Sequence, residues 1–572
     1  MEYPIINAAG NPKGNTTNFM GINRRDVIAE GEFSDCTNLS TEHYPCLAPR
    51  KSRLKYGIGE QIKNIQAIIA PKYKSGGMGG FTGVADGKFY YMDEEIEFEA
   101  DDMGIEKNSI VCLVDFNGYI IICPKMYYFS YVPQSDGEIE YKVKKMEKGK
   151  DDIKVTLYSN GDIESDGAVE NYLKAADSSA WDCFESGNSI MLSGFSGDLE
   201  KNNTVEIDSV YKVTDDKVPI SCVIERIDGK KMYFQMYNQK GVALNLTNGS
   251  GIANGVSAVI SVRIPIPAMN WVCVHNNRLW GTNPNGELIY ASKIGDAFNF
   301  NTFMGLTSDS WYSQVATKGD FIGIASYRSN VVAFKRDYVQ HVYGDKPVNF
   351  QIPKQLSDCG CIDMRSVVEI GSVLYFMGYN GFYAYTGGQP ELISDKLCKK
   401  YKSAVAFSDG IKYMVSAYTG EGECEFLVFD PRYNIWLKED GLQVVSSLKW
   451  HNGVYAATAD SVYKFNDGAE NVEFSASSGW LFEDMTNQKG INELFIVADI
   501  KGKGRVDVYT KSENGGLKLW GTINKPGYRT YHIPVKLIRD DCCKIILKGE
   551  GDVIIHRIER RVSTGGKNYA DK

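Results

Sequence analysis

The sequence predicts an all-β chain: a β-propeller of six to seven blades, an inserted small β-barrel domain, and a C-terminal β-sandwich that is jelly-roll-like. Composition, a recurring hairpin phrase and the spacing of that phrase carry the prediction. The 572 residues include 57 Gly, 35 Tyr and 25 Phe, which suits turns that need positive φ and pleated faces filled by aromatic rings. The phrase is a small turn residue followed by an aromatic or β-branched run, as in Asp86-Gly87-Lys88-Phe89-Tyr90-Tyr91 and Asn117-Gly118-Tyr119-Ile120-Ile121. It returns at Asn277, Arg328, Gly371, Asp409 and Asn452, in steps of 51, 43, 38 and 43 residues, close to the roughly 40–50 residues of a propeller blade. Asn-Gly and Asp-Gly mark tight hairpins because both central positions take φ > 0.

Along the chain, residues 1–55 read as an extended N-terminal arm. They show no core of their own, and Pro45, Pro49 and the basic run Arg50-Lys51-Ser52-Arg53 favour extended chain. Such an arm closes the propeller or reaches a neighbouring subunit. Residues 56–140 form the first blades. The series then breaks, and residues 141–265 are an inserted small β-barrel, with strands expected in Phe184–Gly194, Thr204–Val210 and Cys222–Phe234 between Gly, Asn and Asp turns. Residues 266–470 resume the blades, including Phe429-Asp430-Pro431-Arg432-Tyr433-Asn434-Ile435-Trp436, a strand, turn and Trp arrangement like that of kelch blades. In residues 471–572 the beat stops, but strands continue at Leu494–Ala498, Arg505–Tyr509, Lys544–Leu547 and Val553–Ile555, as in a sandwich.

The net charge of -9 argues against general affinity for a nucleic-acid backbone, which needs a basic surface, while an acidic wall lets DNA pass without sticking. Thirteen Cys, an odd number without paired spacing, exclude a complete disulfide framework within the monomer and suit folding in a reducing cytosol. The N-terminus lacks the pattern of a signal peptide, and no apolar run approaches the roughly 18 residues of a membrane-spanning helix.

Catalytic and metal signatures are sparse. The histidines, His43, His275, His341, His451, His532 and His556, lack ligand spacing. Cys359-Gly360-Cys361 and Cys542-Cys543 are close thiol pairs with no matching partner set, so they read as buried or incidental thiols. There is no G-x-S-x-G elbow, H-E-x-x-H or Walker loop. Glu483-Asp484 and Asp101-Asp102 are the acids a glycosidase reading would nominate, and adjacent acids in polar stretches read as solvated turns. No catalytic residue, metal or cofactor is expected. The candidate assembly contacts are Arg24, Arg25, Asp26, Arg50, Lys51, Arg53 and Asp296; for Asp296 the plainer role is a loop cap before Phe298.

Three phrases carry a family resemblance. They are Gly21-Ile22-Asn23-Arg24-Arg25-Asp26 with Glu30–Leu39; Asn277–Gly281 through Leu288–Phe300; and Gly549–Ile555 followed by Arg560. Together they resemble the β-propeller tail proteins of bacteriophages, the tail nozzle or tail tubular B protein and the head-to-tail stabilisation proteins. The resemblance implies a structural virion protein of the tail or neck, folded in the host cytoplasm. Its expected partners are other copies in a cyclic homo-oligomeric ring, other tail or portal and adaptor proteins, and DNA that passes without specific binding. A receptor- or glycan-binding propeller module is the alternative, and a polysaccharide-active enzyme a third.

Overall fold

The computed structural model describes residues 13–564 except 59–61, 71–79, 93–96, 134–138, 161–169, 197–220, 238–242, 245–254, 256, 285, 316, 354–356, 421, 483–488, 514 and 536–539. The protein is all-β. Among the described residues there is no α-helix, and the helical pieces are short 3-10 turns such as Ser178–Trp181. The strand expected at Thr204–Val210 and the acids Glu483 and Asp484 lie outside the described residues.

Most strands belong to small antiparallel sheets made of consecutive strands. Sheet 1 holds Ile65–Ile68, Thr82–Ala85, Lys88–Met92 and Glu97–Glu99; sheet 2 holds Cys112–Phe116, Tyr119–Cys123, Tyr127–Pro133 and Ile139–Lys145. Sheet 3 holds Trp271–His275, Arg278–Thr282, Leu288–Ala291 and Trp311–Gln314; sheet 4 holds Phe321–Tyr327, Asn330–Lys335 and Val339–Val342. Sheet 5 holds Val368–Ile370, Val373–Gly378, Gly381–Tyr385 and Glu391–Leu392; sheet 6 holds Ser403–Ser408, Tyr413–Tyr418, Cys424–Asp430 and Ile435–Glu439. Sheet 7 holds Ser446–Trp450, Gly453–Ala457 and Val462–Gly468, and takes its fourth strand, Ser52–Tyr56, from the N-terminal segment.

The hairpins form where the turn residues stand. Asp86 and Gly87, Asn117 and Gly118, Asn276 and Asn277, and Gly371 and Ser372 all take positive φ, the geometry that matches the twist of two antiparallel strands. Central strands such as Arg278–Thr282 and Gly453–Ala457 are buried throughout, so both sheet faces need cover. The neighbours supply it. Val84 and Phe89 of sheet 1 pack on Ile120 and Ile122 of sheet 2, Ile121 on Leu279 of sheet 3, and Trp280 on Ile324 and Val331 of sheet 4. Phe334 meets Phe376 of sheet 5, Phe382 meets Tyr413 of sheet 6, and Phe407 meets Phe465 of sheet 7. Tyr455 and Val462 then pack on Phe81 and Tyr90 of sheet 1, so the packing runs in a cycle. At most of these junctions the first strand of one sheet approaches the first strand of the next.

Between sheets 2 and 3 the chain forms a separate sheet ordered Met191–Ser196, Ser257–Ile264, Lys148–Asn160, Glu170–Ala175, Lys231–Tyr237 and Ser221–Asp228. Its edges meet, because Ser189 bridges Val223, Ile190 donates its N–H to Cys222 and Ile224 donates its own to Asn188. Leu157, Leu173, Met232, Phe234 and Val262 fill its interior. At the C-terminal end two sheets face each other. One is ordered Lys13–Thr16, Val553–Thr564, Lys489–Ile500 and Gly527–Pro534; the other Phe33–Thr37, Glu473–Ser478, Cys543–Glu550, Arg505–Ser512 and Leu517–Ile523.

The N-terminal segment, expected to be an extended arm without a core, is extended but embedded. Phe19, Ile22, Phe33, Cys36, Leu39 and Leu47 are buried in the core shared by the terminal sheets with sheets 5 and 6. Three of its strands, Lys13–Thr16, Phe33–Thr37 and Ser52–Tyr56, pair with partners more than 400 residues away, which local sequence patterns cannot signal.

The interior of the inserted sheet shares no buried residue with the cores of the ring, so its stability is separable. Phe234→Ala, at a site with no exposed surface, is expected to cost the inserted unit ~3–5 kcal/mol. Deuterium exchange should rise across residues 148–264 and stay unchanged in sheets 4 to 7.

Candidate functional site

The basic residues singled out from sequence lie along the N-terminal segment, and the fold spends most of them internally. Arg24 donates both Nη groups to the Glu425 carboxylate at 3.0 Å each, and Tyr401 and Lys399 donate to the same group at 2.6 and 3.2 Å. Burial alone would raise the Glu425 carboxyl. The hydrogen bonds from Arg24 and Tyr401, with the positive charge of Arg24, instead hold it at about 2. Arg25 meets Asp395 at 2.5 Å on the surface, where Asp26 is also exposed. Lys51 lies 3.7 Å from Glu42, both solvated.

Arg50 and Arg53 form a tighter group. Arg53 bridges Glu439 at 2.6 Å and Asp440 at 3.1 Å, and Arg50 bridges the same acids at 3.2 and 2.7 Å. The Arg53 guanidinium also lies 4.9 Å from the Phe426 ring and 5.1 Å from the Phe465 ring. These two arginines fasten the closing strand of sheet 7 to the last strand of sheet 6. Beside them opens a cleft of about 1110 Å³ between sheet 7 and the terminal sheets. Its lining mixes both signs, with Arg50 paired to Asp440, Arg505 to Asp507 at 2.9 Å, and Glu470, Glu473 and Lys548 beside them, so it holds no concentrated charge of one sign for a ligand.

The second constellation is the connection Ser292–Ser310 between the third and fourth strands of sheet 3. Asp296 caps it locally, accepting from the Phe298 N–H at 2.9 Å, and its other oxygen meets Lys148, at the root of the inserted unit, at 3.1 Å. Phe298 stands edge-on to Tyr119 and Tyr128 of sheet 2. Asn301 donates to the Pro265 carbonyl at 2.6 Å, and fully buried Asn188 donates to Thr302 at 2.8 Å. The connection is therefore a wedge that joins sheet 2, sheet 3 and the inserted unit.

Sequence reasoning missed the residue at its centre. Arg278 is 1% exposed and donates to the carbonyls of Ser292 at 2.6 Å, Thr307 at 2.7 Å and Asp309. Burial lowers its pKa to about 10, against the opposing charge of Asp309. One Asp309 oxygen in turn accepts the Met304 and Leu306 N–H groups at 2.5 and 2.9 Å. The tip is thus held rigid while its side chains face outward: Ile294 is 41% exposed, Phe303 47%, Met304 54% and Leu306 59%, beside Tyr312 of the adjoining strand at 56%. The only cue in the sequence was an arginine inside an otherwise apolar hairpin strand.

Other candidates resolve into local roles. Asp102 accepts from the Gly104 N–H at 2.8 Å, a turn on the surface. Burial raises the Cys361 thiol to about 12 and the Cys359 thiol to about 11, so both stay protonated. Cys542 and Cys543 are buried. Near them the carboxylates of Glu513, Asp540 and Asp541 lie within 4.8 Å of one another and could hold a cation.

No family model and no curated protein matches the chain. Among solved structures it is similar to an exo-beta-1,3-galactanase from Phanerochaete chrysosporium, at 9% identity over 50% of this chain and 94% of that one, with a TM-score of 0.18. It is also similar to a family 43 arabinoxylan arabinofuranohydrolase from Bacillus subtilis, at 10% identity over 80% and 95% with a TM-score of 0.17. A Trypanosoma rangeli sialidase gives 8% identity over 89% and 95%, with a TM-score of 0.22.

Glu425 stabilises the fold only while ionised. Its folded value lies below the ordinary 4.5, so the contribution is complete above about pH 4.5 and is lost as pH falls toward 2. Glu30, Glu32 and Asp430, also bonded to or within the N-terminal segment, are lowered in the same direction against the effect of burial. Proteolysis within residues 19–39 is expected to accelerate as pH drops from 5 to 3. Glu425→Gln should cost ~1–3 kcal/mol at pH 7 and flatten that acid dependence in denaturation experiments.

Proposed function

We propose that the chain is a structural virion protein of a bacteriophage tail or neck that assembles as a cyclic homo-oligomer around passing DNA and turns over no substrate. In this reading the seven packed sheets are the blades of one β-propeller, the unit between sheets 2 and 3 is a small β-barrel, and the terminal sheets are a β-sandwich. Its partners are other copies, then portal, adaptor or tail proteins, and its place is the virion.

The observation that carries the proposal is the rigid apolar tip of the wedge. An exposed cluster of large apolar side chains marks a contact surface, and a loop clamped by a buried arginine loses little further entropy when it docks. The tip directly follows the Leu288–Phe300 phrase on which the resemblance to tail proteins rests. The other phrases also do mechanical work, since Arg24 clamps sheet 6 and Arg560 meets Glu30 at 2.8 Å. A cyclic ring needs different patches on opposite flanks, and a net charge of -9 suits a conduit that repels DNA.

The first strands of the seven sheets further support a non-catalytic reading. A glycosidase pair needs carboxylates about 5–9.5 Å apart, whereas these strands carry only Asp115 and Glu369, on sheets 2 and 5 with two sheets between them.

Light scattering and negative-stain images of the purified protein are expected to show a closed ring at micromolar concentration. Leu306→Asp should shift the population toward monomer by at least tenfold in dissociation constant without changing thermal stability. A monomer at all concentrations, or a ring indifferent to that substitution, would overturn the proposal.

A further inference from the structure

The outer face of the inserted unit carries an arrangement that its own fold does not require. Tyr158, Tyr172, Tyr233 and Arg226 are direct cross-strand partners on four adjacent strands. The Tyr158 and Tyr172 rings stack at 4.7 Å and 15°, Tyr172 and Tyr233 follow at 5.2 Å, and the Arg226 guanidinium lies 3.7 Å from the Tyr233 ring centroid. Four planar groups thus form one row across the sheet. The opposite faces of the same strands, with Leu157, Leu173, Met232 and Phe234, already supply the core.

The next row is more telling. Thr156, Lys174, Lys231 and Asp228 are partners in the same order, so two lysines stand directly opposite each other, a pairing that costs stability. Asp228 flanks Lys231 on its far side, and Lys231 Nζ also lies 4.8 Å from the Tyr172 ring. Lys174 is exposed, as is Lys154 on the neighbouring strand, and neither makes an ion pair among the described residues. The acid beyond the ladder, Glu170, is engaged by Arg226 at 2.9 Å.

Tyr233 is buried and its hydroxyl is bonded to Arg226 and Lys231, so it is the half-buried Tyr158 and Tyr172, stacked on each other, that offer edges and hydroxyls rather than open platforms. Single-stranded nucleic acid, which uses open aromatic faces, fits this poorly. A sugar chain fits better: its ring presents C–H patches to the tyrosine edges and hydroxyls to the phenols, and a carboxylate or phosphate on it would meet the exposed Lys174 ammonium beside Lys231. We infer that the Tyr158–Tyr172–Tyr233–Arg226 ladder, with Lys174 and Lys231, binds an acidic polysaccharide. This site is independent of the ring-forming tip, since the two involve no common residue.

The test is affinity electrophoresis of the full chain through gels containing alginate, polygalacturonate or hyaluronate, with neutral dextran and a thirty-residue oligo-dT as comparisons. Retardation by at least one acidic polysaccharide, and none by dextran, is expected. Tyr172→Ala should weaken it at least tenfold and Tyr172→Phe by less than threefold. Lys174→Glu combined with Lys231→Glu, two surface changes that leave the core intact, should also weaken it at least tenfold, whereas Leu306→Asp should leave it unchanged. Absence of retardation by all three polymers, retardation indifferent to the lysine double variant, or ladder-dependent retardation by oligo-dT alone would each overturn the inference. A monomeric protein that is still retarded would refute ring assembly and keep this site.

Discussion

Closure of the ring of sheets depends on one non-local pairing, Ser52–Tyr56 on Val462–Gly468. A sheet apolar on both faces must be covered on both, and in a cycle each sheet is covered only if the last meets the first. Tyr455 and Val462 of sheet 7 cover Phe81 and Tyr90 of sheet 1, and the N-terminal strand completes sheet 7 from outside. The energy of closure comes mainly from these faces, at about 1.5–3 kcal/mol for each large side chain fully buried. The Arg50, Arg53, Glu439 and Asp440 group adds little net, because desolvating buried ions offsets their attraction. What it adds is position: two guanidinium groups and two carboxylates meet only when the closing strand sits in register.

The same division between apolar energy and polar positioning governs the wedge. Ala297 and Phe300 fill the junction of sheets 2 and 3, while Arg278 tethers the loop through backbone carbonyls. Burying a cation without an ion pair is costly, and carbonyl dipoles meet that cost only if the chain bends to bring three of them together. The bend is what sets the tip. Lys148, Asn188 and Pro265 are held by the same loop, so the inserted unit is oriented by residues of sheet 3 as well as by its own connections.

What could be read from the sequence was local. Two-residue turns at Asp86-Gly87 and Asn117-Gly118 declare their hairpins because positive φ restricts residue choice, and the steps from Asn277 onward follow the sheets. Lys148–Asn160, the long strand at the centre of the inserted unit, went unread because its exposed side is Lys, Asp and Thr and its alternation resembles solvated chain. The basic residues near the N-terminus seemed to point outward for a similar reason. Glu425, Asp395 and Glu439, which receive them, lie about 400 residues away, and no spacing rule links such partners. Arg278 stands inside the Asn277–Gly281 phrase, and its apolar neighbours alone do not tell an arginine that will be buried from one that snorkels to solvent.

These placements separate surfaces that are consumed from surfaces that remain. Of the charged groups conspicuous in sequence, Arg24, Arg50 and Arg53 are neutralised within the chain by Glu425, Glu439 and Asp440, while Arg25, Asp26 and Lys51 stay at the surface. The tip of the wedge and the tyrosine ladder differ in kind. In one, a buried polar framework holds apolar side chains in water; in the other, aromatic groups and like-charged lysines are aligned on a face whose reverse already satisfies the fold. Each retains stabilisation that a second molecule can release, by removing apolar area from water at the tip or by compensating positive charge at the ladder. A surface whose groups were already paired would gain nothing comparable from contact, which is why the contacts proposed above fall on these two regions rather than on the Arg50–Arg53 group.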